Sequence, residues 1–328
     1  MLLFILRRLG YAIITLFLVS VLTFFIIELA PGSAVTSEIS RLRAQGNVVS
    51  TQQVEALEEQ YGVNDPWVVK YGKWASGLVR GDFGMSFAYR EPVADVIWSR
   101  LALSVAMAVG AILITWAIAI PIGVYSATHR YSWPDNVITV VQFVGVAIPE
   151  FLLALAVMVA AVQFGGLDVG GLFSNEFRNA PWSGAKLADM LAHLWMPVLV
   201  IAVASTAWLT RVMRGNLFDV LGQQYVQTAR AKGVPENKVI WKHAVRNALH
   251  PLVMTLGTTL SVLISGEAVV SIIFNLPTTG QALIQTLIVK DTYVSATLLV
   301  MLAGLLIIGN LISDLLLAWI DPRTRVLD

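Results

Sequence analysis

Six long apolar segments dominate the chain, and each is bounded by charged residues or by turns rich in proline and glycine. A bilayer crossing needs about 20 mostly apolar residues in a helix that satisfies its own backbone hydrogen bonds. The segments lie approximately at Leu9–Ala30, Leu101–Tyr125, Val137–Phe164, His193–Val212, Pro251–Phe274 and Tyr293–Ile320. The pattern predicts an all-α, polytopic membrane protein with six transmembrane helices. Pro121 and Pro149 fall inside two segments, where a packed membrane helix tolerates proline.

Lysine and arginine are distributed unevenly among the short loops, and this sets the expected orientation. With the N-terminus inside, a dense basic set faces the cytoplasm: Arg7, Arg8, Arg130, Arg211, Arg214, Arg230, Lys232, Lys238, Lys242, Arg246, Arg323 and Arg325. The short loops on the outside carry only Arg178, Lys186 and Lys290. Both termini are therefore predicted to be cytoplasmic. The apolar run Leu9–Ile27 after Arg7 and Arg8 exceeds a signal h-region and predicts a retained helix.

Composition supports a membrane protein and narrows the chemistry. Hydrophobic residues make up 57% of the chain and charged residues 13%, against about 25% charged in soluble domains. Cysteine is absent, which excludes disulfides and thiolate metal sites. The four histidines show no metal-ligand spacing, so no metal is expected. The net charge of +1 gives no reason to expect a nucleic-acid partner.

The expected organisation is an N-terminal transmembrane helix (1–30), a periplasmic segment (31–98), a core with five transmembrane helices (99–320) and a cytoplasmic tail (321–328). A cytoplasmic loop at 213–250 belongs to the core. The outer segment contains one helix-like stretch, Ser50–Tyr61, and then the aromatic residues Trp67, Tyr71 and Trp74. These aromatics favour a cap with tryptophans at the lipid boundary. A docking surface for an external partner is the alternative.

Motifs for nucleotide binding are missing from the sequence. Neither G-x-x-x-x-G-K-[ST] nor G-x-G-x-x-G is present, so nucleotide energy would have to come from another chain. The G-x-S-x-G elbow of hydrolases is also missing. The chain is therefore not expected to be an enzyme by itself.

The most informative stretch lies between the fourth and fifth spans and reads Y-V-Q-T-A-R-A-K-G-V-P-E-N-K-V. Helix-forming residues continue to Lys232, Gly233 suits the positive φ that follows a helix end, and Pro235 suits the first turn of a second helix. The sequence predicts helix, sharp turn and short helix at the membrane surface. An ordinary basic loop held by anionic lipid is the alternative.

This stretch, followed by W-K-H-A-V-R-N-A-L-H-P, resembles the signature of permeases of type I ATP-binding-cassette (ABC) importers, in the dipeptide, oligopeptide and nickel group. The resemblance covers nearly the whole chain. Its weaker marks follow in order: Ala30-Pro31-Gly32, Gly81-Asp82-Phe83-Gly84-Met85-Ser86, Gly123 to Asp135, Pro149 with Phe151, Arg211 with Arg214, Asn310, Asp314 and Asp321-Pro322-Arg323.

The resemblance implies a type I permease fold in the bacterial inner membrane and half of a pathway for peptides or a similar small solute. It implies as partners a second homologous permease, two cytoplasmic ATPases that bind the ATP and magnesium, an extracytoplasmic solute-binding protein and membrane lipid. No cofactor is expected on this chain. The implied coupling contacts with the ATPase are Ala229, Arg230, Ala231, Lys232, Gly233, Val234, Pro235 and Glu236.

Some positions depart from the family pattern and leave the solute open among peptides, nickel, opines and oligosaccharides. Ala102 stands where many relatives have proline, and Pro277-Thr278-Thr279-Gly280 replaces Pro-Gly-x-Gly. The acid expected near Ser271 is instead Glu267. These changes fall on the expected outer half of the protein.

Three acids at membrane depth need a partner helix or a wet cavity, because an isolated charge there costs about 2.5–3.5 kcal/mol. Asp314 is interpreted as a structural bond between helices. Glu150, next to Pro149, and Glu267 are candidates for the translocation pathway. A stand-alone secondary transporter or channel remains an alternative, although no matching half-repeats are seen. A membrane-embedded enzyme is a weaker alternative.

Overall fold

The chain folds into helices. A computed structural model describes residues 2–46, 50–60, 65–165 and 170–320, and within these ranges it contains no β-strand. The helices are α1 (Leu2–Leu29), α2 (Ala34–Ala44), α3 (Thr51–Gln60), α4 (Trp67–Arg80), α5 (Val93–Thr128), α6 (Trp133–Ala147), α7 (Glu150–Gly165), α8 (Gly184–Leu221), α9 (Gln224–Ala231), α10 (Glu236–Lys238), α11 (Val245–Ala248), α12 (His250–Met254), α13 (Leu256–Ile273), α14 (Thr279–Ile288) and α15 (Thr292–Ile320). A π-helical turn, Val239–Ala244, joins α10 to α11. The all-α prediction is confirmed.

The helices that could cross a membrane correspond to the six predicted segments. Within the described ranges, five single helices are long and apolar enough to cross a bilayer: Arg7–Leu29, Val93–Thr128, Gly184–Leu221, Leu256–Ile273 and Thr292–Leu317. The bent pair α6 and α7 makes a sixth span if the two helices are counted as one. The predicted helix at Ser50–Tyr61 is present as α3, although Tyr61 itself and the predicted tail, 321–328, lie outside the described residues.

The third predicted span is not one continuous helix, and this part of the prediction was wrong. α6 and α7 meet at an angle of 100°. Ile148 takes an extended conformation with ψ of 121°, as expected for a residue that precedes proline, and Pro149 cannot donate the helical N–H. Pro121, in contrast, lies inside α5 as predicted. The position of the proline alone does not decide between a tolerated kink and a break.

The chain divides into two compact units. The first comprises Met1–Ser104 and Pro277–Leu305, and the second comprises Val105–Leu276 and Leu306–Asp328. The predicted domain boundaries separate membrane-embedded segments from segments outside the membrane. These two units do not test that division, so the boundaries stay predictions.

Aromatic packing joins α1 to α4 in the first unit. The Phe24 ring centroid lies 5.3 Å from that of Trp74 and 5.6 Å from that of Tyr71. Trp74 is 4% exposed, and its indole N–H donates to Thr297 Oγ1 at 3.0 Å. The expectation that the tryptophans face the lipid boundary was therefore wrong for Trp74, because its ring is used in the core of this unit.

The glycine-rich stretch from Gly81 to Ser86 is fixed to the start of α15. Asp291 is fully buried, and its Oδ2 accepts hydrogen bonds from Ser86 Oγ at 2.7 Å and from the Ala88 backbone N–H at 3.0 Å. A buried carboxylate is tolerated when hydrogen bonds satisfy it. This stretch thus has a structural role within the first unit.

Helix α8 is the longest helix of the second unit and continues past both ends of the predicted fourth span. Ser183 caps its start by accepting a hydrogen bond from the Lys186 N–H at 3.2 Å. The other end reaches Leu221, and there Met213 and Leu217 are fully buried. Residues 213–221 of the predicted cytoplasmic loop therefore belong to α8.

Candidate functional site

The predicted turn after α9 is present. We call residues 229–236 the Gly233 turn. α9 ends at Ala231, Lys232 forms the C-cap, and Gly233 has a φ of +73°. The N–H of Gly233 donates to the Arg230 carbonyl at 2.9 Å, and the N–H of Val234 donates to the Ala229 carbonyl at 3.3 Å. Left-handed glycine with returning hydrogen bonds is a standard helix ending, so the local conformation is confirmed.

An ion pair holds the two sides of this turn together. Arg230 Nη2 lies 2.6 Å from Glu236 Oε1, and Arg230 Nε donates to Glu236 Oε2 at 3.1 Å. The Arg230 hydrogen bond lowers the pKa of Glu236 below its ordinary value of 4.5. Pro235 precedes α10 as its N-cap, one position before the predicted first turn. The helix, turn and short helix are thereby connected by side chains as well as by the backbone.

Buried side chains anchor the Gly233 turn to the long helices of the second unit. Val226, before the turn, and Val239, after it, are both fully buried in one apolar cluster that contains Met213 and Leu217 of α8. Ala229 and Val234 pack partly against the same cluster. The turn is therefore packed onto α8. The sequence prediction missed these anchors, although apolar residues before and after a basic turn were a usable signal.

The eight predicted contact residues thus lie together, but they do not all face solvent. Ala231, Lys232, Gly233, Pro235 and Glu236 are exposed, whereas Ala229, Arg230 and Val234 are partly buried. The exposed group forms a surface that another protein can reach. The partly buried group connects that surface to the fold.

A second ion pair, between Asp135 near the start of α6 and Arg214, was not predicted. Asp135 is fully buried, and its Oδ2 accepts from Arg214 Nη2 at 2.7 Å and from the Tyr131 N–H at 2.9 Å. Ser126 Oγ also donates to this carboxylate. The pair joins the first turn of α6 to α8. Its members are far apart in the sequence, so no local pattern indicates it.

The predicted pathway residues behave differently from one another. Pro149 marks the break between α6 and α7, which places Glu150 at the first position of α7. Glu150 lines a cavity of about 470 Å³ together with residues of α5, α8, α12 and α13. Glu267 is 1% exposed and is not among the residues that line this cavity, although its neighbour Gly266 is. The structure therefore places Glu150 and Gly266 in the wall of one cavity.

Two family profiles match nearly all of the chain. Residues 119–326 match the "Binding-protein-dependent transport system inner membrane component", and residues 1–108 match the N-terminal part of such membrane components. The chain belongs to this family. It is thus a multi-pass permease subunit of an ABC importer, and the resemblance inferred from the signature stretch is confirmed.

Similar curated proteins cover the permease along its full length. The oligopeptide transport system permease protein AppB of Bacillus subtilis is 37% identical over 98% of both chains. A putative peptide permease protein of Brucella ovis is 32% identical over 99% of this chain and 100% of its own. A probable peptide ABC transporter permease protein of Sinorhizobium fredii is 28% identical over 98% and 99%.

A solved structure supports the fold. An inward-facing form of the MetNI methionine ABC transporter contains a chain that superposes with a TM-score of 0.54 and 18% identity. The match covers 69% of this permease and 96% of that chain. The family match, in turn, favours the importer over the stand-alone transporter, channel and enzyme alternatives.

Proposed function

We propose that this permease forms half of a translocation pathway for peptides and that ATP hydrolysis on associated subunits drives it through the Gly233 turn. The names of the similar proteins support peptides as the solute class. The partners would be a second homologous permease, two ATPases that bind ATP and magnesium, and a solute-binding protein. The protein would lie in the bacterial inner membrane with both termini in the cytoplasm, as the loop charges predict.

The Gly233 turn is the observation that carries the proposal. Its exposed residues end a helix that is anchored by buried Val226, and the Arg230–Glu236 ion pair fixes the direction of the following segment. Because Val226 fixes α9 to the buried cluster, the helix and its turn can move together as a rigid body. Conformational changes in proteins commonly use such rigid-body motions of packed elements. The exposed residues of the turn would contact the ATPase, and Ala229 and Val234 would transmit its movement to α8.

The test is Gly233→Val. Among the described residues of this chain, an added Cβ would meet nothing within 4 Å, so crowding within the permease does not contribute. The cost comes from the φ of +73°, where a β-branched residue incurs strain of about 1–2 kcal/mol or shifts the turn. We expect normal amounts of the permease in the membrane but weaker co-purification of the ATPase and loss of solute-stimulated ATP hydrolysis in reconstituted vesicles.

Two control variants separate coupling from strain. Gly81 also has a left-handed φ, +79°, at the end of a helix, and an added Cβ there has no described residue within 4 Å. Gly81→Val should carry similar strain and retain the ATPase. Lys238→Ala, on the far side of the turn, should have less effect than Gly233→Val. Full ATPase association and stimulation in Gly233→Val would refute the proposed role of the turn.

A further inference from the structure

The cavity beside Glu150 is lined by an acidic side chain and by uncharged residues. Among the sixteen described residues that line it, Glu150 is the only one with an ionisable side chain, and none of them is lysine, arginine or histidine. Within the described residues, no side chain or backbone group forms a hydrogen bond or ion pair with the Glu150 carboxylate. A carboxylate at membrane depth is costly unless a partner balances it. The cavity therefore favours a positively charged occupant and disfavours an anion.

The hydroxyl groups of the cavity wall reinforce this preference. Thr258 and Thr259 both donate their hydroxyl protons to the Thr255 carbonyl at 2.8 Å, and Thr255 donates its own to the Leu252 carbonyl at 3.0 Å. A hydroxyl that has donated its proton still offers oxygen lone pairs as acceptors. Thr255 and the threonines of α13 therefore present acceptors to the cavity, which suit a ligand with N–H donors.

Size and aromatic lining agree with a small organic cation. The cavity volume of about 470 Å³ lies within the usual range of about 300–1,000 Å³ for small-ligand sites. Trp116 and Trp208 line the cavity, and indole is the aromatic group that attracts cations best. Most of the remaining lining residues are aliphatic, so the cavity also suits apolar side chains.

Gly266 provides space next to the carboxylate. An added Cβ on Gly266 would have Glu150 Oε2 as its nearest atom, at 3.8 Å. Because Gly266 has no side chain, the space next to Glu150 Oε2 stays open at this position. A side chain in place of Gly266 would contact that oxygen. This open space belongs to the same cavity, because Gly266 is one of its lining residues.

We infer that this cavity is a subsite for the ammonium group of the transported solute, with the Glu150 carboxylate as its counter-ion and threonine hydroxyls as further acceptors. This rests on the proposed peptide transport. The ammonium could be the free N-terminus of a peptide or a lysine side chain, since both present the same charged donor.

The test compares Glu150→Gln with the wild type in the complete importer, reconstituted with its second permease, ATPases and binding protein. Uptake is measured for labelled trialanine, N-acetyl-trialanine and N-acetyl-alanyl-lysyl-alanine. For each peptide, the ratio of variant to wild-type rate cancels the preference of the binding protein, which is identical in both. We expect a loss of at least about fivefold for trialanine and less than about twofold for N-acetyl-trialanine.

The lysine peptide distinguishes the two sources of the ammonium. A loss like that of trialanine would show that either ammonium occupies the subsite, and a loss like that of N-acetyl-trialanine would restrict it to the N-terminus. Glu150→Asp keeps the charge, so it should retain more of the discrimination than Glu150→Gln. Equal losses for trialanine and N-acetyl-trialanine would overturn the inference.

Two further outcomes are informative. If Glu150→Gln loses its second permease during purification, the carboxylate pairs with that subunit and the inference is overturned. If the wild-type importer takes up no peptide at all, the peptide proposal fails and the subsite inference fails with it. Peptide uptake with equal losses leaves the proposed function intact and rejects the subsite alone.

Discussion

Gly257 in α13 lies so close to α15 that no side chain fits between the two helices. An added Cβ would overlap the backbone nitrogen and side-chain oxygen of Asn310 and the carbonyl carbon of Gly309. The Gly257 N–H also donates to Ser313 Oγ at 2.9 Å. Small residues at such contacts allow helices in membranes to pack closely.

The cost of Gly257→Ala follows from these contacts. The clashing atoms are mostly backbone, so the helices must separate instead of a side chain moving. Overpacking of this kind costs about 1–3 kcal/mol, and the separation also weakens an interhelical hydrogen bond worth about 0.6–1.7 kcal/mol. We therefore expect Gly257→Ala to lower the free energy of unfolding by about 2–4 kcal/mol.

The assay is reversible unfolding of the purified permease by SDS in mixed micelles, followed by tryptophan fluorescence. Ser313→Ala removes only the hydrogen bond and should cost about 0.6–1.7 kcal/mol. In Gly304→Ala, in α15, the added Cβ meets nothing within 4 Å in the described part of the chain, and the change should be neutral or stabilising by up to about 1 kcal/mol. If Gly257→Ala unfolds at the same SDS concentration as Gly304→Ala, the close contact does not exist in the folded protein.

Two further predictions concern topology and pH. The chain has no cysteine, so Ser50→Cys and Asn237→Cys give single labelling sites, and these should react from opposite sides of the membrane in intact cells. Labelling of both from one side would contradict the six-span topology. The pKa of Glu236 is lowered by Arg230, so their ion pair persists at neutral pH and is lost only as the pH falls through that lowered pKa. Co-purification of the ATPase should therefore be constant from about pH 8 to about pH 6, and a decline within that interval would show that the pair does not set coupling.

Local residue chemistry was sufficient to predict the Gly233 turn. Glycine after Lys232 permits the positive φ, and Pro235 fixes the backbone that leads into the next helix. These constraints act within a few residues, so the turn follows from the sequence whatever packs around it. The apolar segments were equally predictable, because the length needed to cross a bilayer is a property of each segment alone.

Pairings between distant residues could not be predicted in the same way. The Asp135 carboxylate binds Arg214 of α8. The sequence marked both residues separately, as a basic residue and as parts of the family resemblance, and gave no sign that they pair. Trp74 looked like a residue of the lipid boundary until its hydrogen bond to Thr297 placed it in a core. Each contact depends on which helices pack against each other. The pattern of residue types along the sequence does not specify that packing.

The sequence by itself determined that this protein is built of membrane helices and that a sharp turn follows α9, because hydropathy and backbone preference are local properties. Only the tertiary structure decided that the chain breaks at Pro149 and that Glu150 then lines a cavity with Thr258 and Trp208. Proline removes one hydrogen bond in either case. Whether the helix bends slightly or ends depends on how α6 and α7 pack against their neighbours, and that free energy is summed over residues far apart in the chain.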